Sequence, residues 1–268
     1  PARVMDTRED LGGPRLQGGR ARSLQLGGRG GVPAVGATAV VLNVTVTDPA
    51  QEGYVTVWPT GVERPVASNI NMVAGATVPN LVTVGLGQGG QVDVFSSVDA
   101  DLVVDVVGWF RSGFVGVTPG RVMDTREGLG GLVLEPGASR KLQVAGLAGV
   151  PTSGATAVAL NVTVVEPTSA GYVTVWPGAE RPTASNLNFV AGQTVPNLVV
   201  VKVGHDGANE GKVKINNTGG NPTSGSVHVV ADVLGYFGDA TTPPVGRFNG
   251  ITPTRILDTR FNKGLSGV

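Results

Sequence analysis

Three times the chain writes Asp-Thr-Arg: Asp6-Thr7-Arg8, Asp124-Thr125-Arg126 and Asp258-Thr259-Arg260. On a strand, alternate side chains share a face. Val4, Asp6 and Arg8 are therefore expected on one face, and Arg3, Met5 and Thr7 on the other. A carboxylate beside a guanidinium can bind a ligand. It can equally brace the fold, with Arg forking onto a carboxylate or backbone carbonyls, and bracing is the favoured reading. Asp105 and Asp232 sit among valines in the middle of apolar runs. A buried charge needs a partner. Arg8 or Arg64 is the expected partner of Asp105, and Arg126 or Arg181 that of Asp232.

Other residue types give weaker chemistry. Trp58 and Trp176 each precede a proline at matched positions. With Tyr54 and Thr56 on the same face, Trp58 makes a candidate carbohydrate platform; the competing reading is burial. The two histidines, His205 and His228, have no counterparts elsewhere in the chain, and no nucleophile elbow accompanies them. Asp99 and Asp101, or Asp206, Asn209 and Glu210, offer oxygens for Ca²⁺ but match no EF-hand loop. Turn chemistry is the favoured reading there. The triplets at Asn43, Asn161 and Asn216 fit the glycosylation pattern, yet two fall inside predicted strands. No catalytic, cofactor-binding or metal-ligating residue is expected, and the chain is read as not an enzyme.

Composition narrows the partners. Twenty Lys and Arg balance 20 Asp and Glu, and Arg20, Arg22 and Arg29 cluster without interleaved aromatics. Nucleic acid is not an expected partner. No Cys is present, which excludes disulfides and thiolate metal sites. Charged residues are 15% and hydrophobic residues 41%, enough for a packed core. No apolar run reaches the roughly 18 residues of a spanning helix, so no helical membrane span is expected. The chain starts at Pro1, as expected of a processed product or a piece of a longer polypeptide.

Elements to position these residues come from a repeat. Arg3–Glu9, Asn43–Val46 and Gly53–Pro59 return as Arg121–Glu127, Asn161–Val164 and Gly171–Pro177, each displaced by 118 positions. Ala67-Ser68-Asn69 and Val78-Pro79-Asn80 return as Ala184-Ser185-Asn186 and Val195-Pro196-Asn197, displaced by 117. Val104–Phe110 returns as Ala231–Phe237 after a longer loop in 204–226. Residues 40–47 alternate, with Leu42, Val44 and Val46 on one face, which is the half-buried strand pattern. Further strands are predicted at 2–7, 22–26, 53–58, 67–72, 80–86, 91–95 and 101–110. The last is apolar on both faces and is expected to be central in its sheet.

The reading is all-β: two tandem antiparallel β-sandwich, or barrel-like, domains of about 115 residues, the size of an independent domain. Repeat 1 is 1–113, a linker is 114–118, repeat 2 is 119–238, a second linker is 239–250, and 251–268 opens a truncated third repeat.

The set RVMDTR, LNVTVT, GYVTVWP, RPVASNIN, VPNLV and DLVVDVVGWF resembles a repeat of secreted and cell-surface proteins of actinobacteria. The resemblance covers nearly all of both units. It implies an extracellular accessory or structural module and supplies no catalytic residues. The expected role is to build or decorate a cell-surface fibre, coat or adhesive stalk by serial packing or strand exchange. Self-association, by an edge strand or head to tail, is the expected partnership. The opening strand of a repeat is expected either to start its own unit or to close the sheet of the unit before it. The alternative role is a carbohydrate- or cell-wall-binding accessory of a secreted enzyme, with wall polysaccharide as partner.

Overall fold

The computed structural model describes residues 1–178, 180–219 and 225–238. The third opening motif, with Asp258 and Arg260, lies outside the described residues, as does the 239–250 linker.

Strands follow the alternating β-branched runs. Repeat 1 holds β1 (Ala2–Asp6), β2 (Arg20–Gln25), β3 (Ala39–Thr47), β4 (Gly53–Pro59), β5 (Ile70–Met72), β6 (Val78–Gly85), β7 (Gln91–Ser96) and β8 (Asp101–Phe110). Repeat 2 holds β9 (Phe114–Asp124), β10 (Ser139–Gln143), β11 (Ala155–Val165), β12 (Gly171–Trp176), β13 (Leu187–Phe189), β14 (Val195–Lys202), β15 (Lys212–Gly219) and β16 (His228–Gly238). Residues 114–118, read from sequence as a linker, are the first part of β9. No helix of the described residues is long and apolar enough to cross a membrane.

Each repeat is a pair of antiparallel four-stranded sheets. Repeat 1 orders them β1-β8-β3-β6 and β2-β7-β4-β5; repeat 2 orders them β9-β16-β11-β14 and β10-β15-β12-β13, the same topology strand for strand. As expected, β8 is central, between β1 and β3. The opening strands β1 and β9 pair with β8 and β16 of their own repeats, so neither closes the sheet of a preceding unit.

The cores are the inward faces of the two sheets. In repeat 1, Leu42, Val44 and Val46 meet Val55, Val57, Val92 and Val94. In repeat 2, Leu160, Val162 and Val164 meet Val173, Val175, Val213 and Ile215. Burying each such side chain contributes about 1.5–3 kcal/mol, enough to hold a β-sandwich without disulfides. A third, smaller apolar cluster joins the repeats: Ala39 and Phe110 from the first, with Phe114, Ala157, Ala159, Leu198, Leu234 and Phe237 from the second.

Candidate functional site

The Asp-Thr-Arg motif folds into a knot. A β-bulge in β1 between Arg3 and Met5 shifts the strand's phase, and Thr7–Glu9 turns as a short 3-10 helix. The simple alternation expected from sequence therefore breaks, and Met5, Asp6 and Thr7 are all buried. Asp6 accepts from Arg8 through Nε at 2.8 Å, a terminal guanidinium nitrogen at 2.7 Å and the backbone N–H at 3.3 Å. Arg3 donates to Asp6 at 3.0 Å and forks onto Asp105 at 3.0 and 3.3 Å. Thr7 donates to Asp101 at 2.7 Å and accepts the Leu102 N–H at 2.9 Å, pinning the turn to the start of β8.

Repeat 2 ties the same knot. Arg126 grips Asp124 at 2.9 and 2.7 Å, and Arg121 forks onto Asp232 at 2.9 and 3.4 Å. Thr125 accepts the Val229 N–H and shares its hydroxyl with His228, which stands where Asp101 stands. The expected partners of the mid-strand carboxylates are thus corrected: Arg3, not Arg8 or Arg64, holds Asp105, and Arg121, not Arg126 or Arg181, holds Asp232. The bulge is the reason, since it brings Arg3 opposite Asp105 in the ladder. Arg64 instead stacks 3.7 Å over the Phe95 ring, and Arg181 bonds Asn216 and Thr218.

Electrostatics fit a clamp. The Arg8 hydrogen bonds hold the Asp6 carboxyl down at about 2 despite its burial. Asp124 is lowered for the same reason, by Arg126. Asp232 goes the other way: burial raises it, and Arg121 only partly opposes that. Both oxygens of Asp6 and of Asp124 are taken up by arginine, which leaves these carboxylates poorly suited to take a proton from a substrate.

The tryptophans are interior, as the burial reading has it. Trp58 and Trp176 are each 3% exposed, so the candidate sugar platform is not presented at the surface. Trp58 Nε1 donates to the Val62 carbonyl at 3.1 Å. Trp176 instead lies at a groove of about 520 Å³ whose lining includes Arg140, Lys141, Arg181 and Lys214. Repeat 1 keeps Arg22 and Arg64 where Arg140 and Arg181 stand but lacks both lysines: Ser23 replaces Lys141, and Asp93, which accepts from Ser23 and Thr60, stands opposite Trp58 where Lys214 stands opposite Trp176.

Sequence reasoning passed over a set of asparagines. Asn69 completes a ladder with its side chain: its N–H donates to Val55, and its Oδ1 accepts the Val57 N–H at 2.6 Å. Asn80 Nδ2 donates to the Asn69 carbonyl at 2.7 Å, tying β6 to the other sheet. Asn186 and Asn197 do the same in repeat 2. The signal was present in the Ala-Ser-Asn and Val-Pro-Asn triplets, repeated at fixed spacing.

Asn80 also builds the joint between repeats. Its Nδ2 reaches Asn161 Oδ1 at 3.0 Å, and its Oδ1 accepts the Leu198 N–H at 3.3 Å. Asn161 Nδ2 donates to the Ser68 carbonyl at 2.6 Å. The backbones close up where Gly116 meets Gly85: a Cβ on Gly116 would stand 2.7 Å from Gly85 Cα. The joint also covers the second knot. Asp105 keeps 21% side-chain exposure and Arg3 45%, against 1% for Asp232 and 24% for Arg121.

These features define a tandem β-sandwich whose repeated polar residues serve folding and repeat-to-repeat contact. No family model matches the chain, and no curated protein matches it. Among solved structures it is similar to one described as the crystal structure of BuGH86wt in complex with neoagarooctaose, with 10% identity and a TM-score of 0.24 over 82% of this chain. The chain spans 31% of that protein's length. At that score the likeness bears on neither fold nor activity.

Proposed function

We propose that this chain is a non-enzymatic structural module of the extracellular cell surface, whose repeats stack in series to build or decorate a fibre, coat or stalk. The observation that carries this reading is the joint: apolar packing, three side-chain hydrogen bonds and a Gly–Gly approach hold one repeat on the next. The resemblance to the secreted actinobacterial repeat supports the extracellular setting. That β1 and β9 close their own sheets favours serial packing over strand exchange. The saturated carboxylates of the knots favour a structural role over a catalytic one. Sedimentation velocity over a range of concentrations tests the reading. End-to-end oligomers that lengthen with concentration are expected, and a monomer at every concentration would overturn it.

One observation favours the second reading, a wall-polymer tether. The groove beside Trp176 carries Arg140, Lys141, Arg181 and Lys214, a lining suited to a polyanionic wall glycan. Cosedimentation with isolated cell walls tests it. Binding that weakens with salt and falls in Lys141→Ala and Arg181→Ala is expected under this reading; wall binding indifferent to both changes would remove it.

A further inference from the structure

The hydrogen-bonded part of the internal joint is heterologous, because the surfaces that meet there are different parts of the repeat; beside it, Ala39 and Phe110 pack with their own counterparts Ala157 and Phe237. Repeat 1 contributes Ser68 and Asn80, beside β5 and on the edge strand β6. Repeat 2 contributes the outer face of its β9-β16-β11-β14 sheet, with Ala159, Asn161 and Leu234. Each repeat carries both sets of hydrogen-bonding residues, so among the described residues one of each set lies outside the joint.

At one end is the outer face of β1-β8-β3-β6. Asn43 stands there where Asn161 stands, in the same register with its neighbours: Asn43 pairs with Leu81 and Asp105 as Asn161 pairs with Leu198 and Asp232. Val107 occupies the bulge position that Leu234 occupies in repeat 2. Leu234 is 3% exposed under the joint, whereas Val107 is 49% exposed, with Leu81 at 39%. The open Arg3–Asp105 fork lies on this same face. At the other end, Ser185 and Asn197 stand where Ser68 and Asn80 stand. Asn80 is buried by the joint, while Asn197 is half-buried and Ser185 exposed. Two internal contacts have no free counterpart: Lys202, exposed, occupies the place of Gly85, and Ala157 and Phe237, which match Ala39 and Phe110, are already buried in the joint.

We propose that a second copy of this chain docks head to tail at these two surfaces, with Asn197 and Ser185 of one molecule against Asn43 of the next. The inference rests on the stacking reading and gives it a surface. A heterologous contact that does not close on itself propagates, so the product is a filament and not a closed dimer. The apolar residues left on the first face are those the internal joint would cover, and the polar ones repeat its hydrogen-bonding groups.

The absence of cysteine makes the test clean. Asn43→Cys chains are mixed with Asn197→Cys chains and treated with a short bismaleimide. Mixed dimers are expected, with homodimers of either variant alone at background. An Asn80→Cys/Asn161→Cys chain, crosslinked within itself at any dilution, sets the reach of the reagent. Ser185→Cys replaces Asn197→Cys if losing the bond to Asn186 unfolds that variant. Absence of mixed dimers overturns the proposal, as do Asn43→Cys homodimers forming as readily as mixed ones. Parallel sedimentation of the parent separates the failures. Association without mixed dimers moves the contact elsewhere and leaves stacking intact, whereas no association at any concentration removes both.

Discussion

Asp6 receives three hydrogen bonds from Arg8 and one from Arg3, and it is fully buried. Its carboxyl is held near 2, below its ordinary 3.8, so it favours the folded state while ionised. That contribution is complete above the ordinary carboxylate range and is lost as pH falls through about 2. Asp124 acts in the same direction. Asp232 has the opposite sign: its carboxyl is raised by burial, so its contribution is largest in acid and weakens as pH rises through the raised value. Two outcomes follow for urea unfolding. Asp6→Ala costs about 2 kcal/mol at pH 7 and much less at pH 2, as for hydrogen bonds to a charged group. Asp232→Asn costs about 1 kcal/mol or less, because losing the buried charge offsets losing the Arg121 fork. An Asp6→Ala chain as stable as the parent at pH 7 would contradict the clamp.

At the scale of elements, the strands were readable where β-branched residues alternate, as in 40–47. They were less so where side chains finish the ladder. The segment predicted as 67–72 becomes a strand only at Ile70, because Asn69 supplies a ladder bond from its side chain. Asn69→Ala leaves the Val57 N–H buried without that partner and is expected to cost about 2 kcal/mol. Denaturant unfolding checks it, with Asn71→Ala, on the neighbouring half-buried position, expected to cost less. The knot was half legible. Spacing brought Asp6 and Arg8 together, but the partner of Asp105 was misread. A one-residue bulge leaves no mark in composition, yet it reverses which side chains share a face.

Across the whole molecule, two sandwiches of one topology share a joint in which alanines and glycines lie beside a cluster of Phe110, Phe114 and Phe237. Ala157, Ala159 and Gly116 look unremarkable until a neighbouring backbone is seen against them, which is why the joint was not legible in the sequence. The contrasts of Ala159 with Val41 and of Gly85 with Lys202 were its traces. Each repeat has its own core, and the joint couples the two. Gly116→Val drives a side chain into Gly85 and is expected to split calorimetric unfolding into two transitions while leaving both sandwiches folded. A single transition unchanged from the parent would place the coupling elsewhere. On the stacking proposal, the joint seen once inside the chain is used again between chains. Electron microscopy of the purified protein at high concentration tests it most directly. Unbranched filaments with an axial repeat of two sandwich units are the predicted result; discrete single particles of one chain each would contradict it.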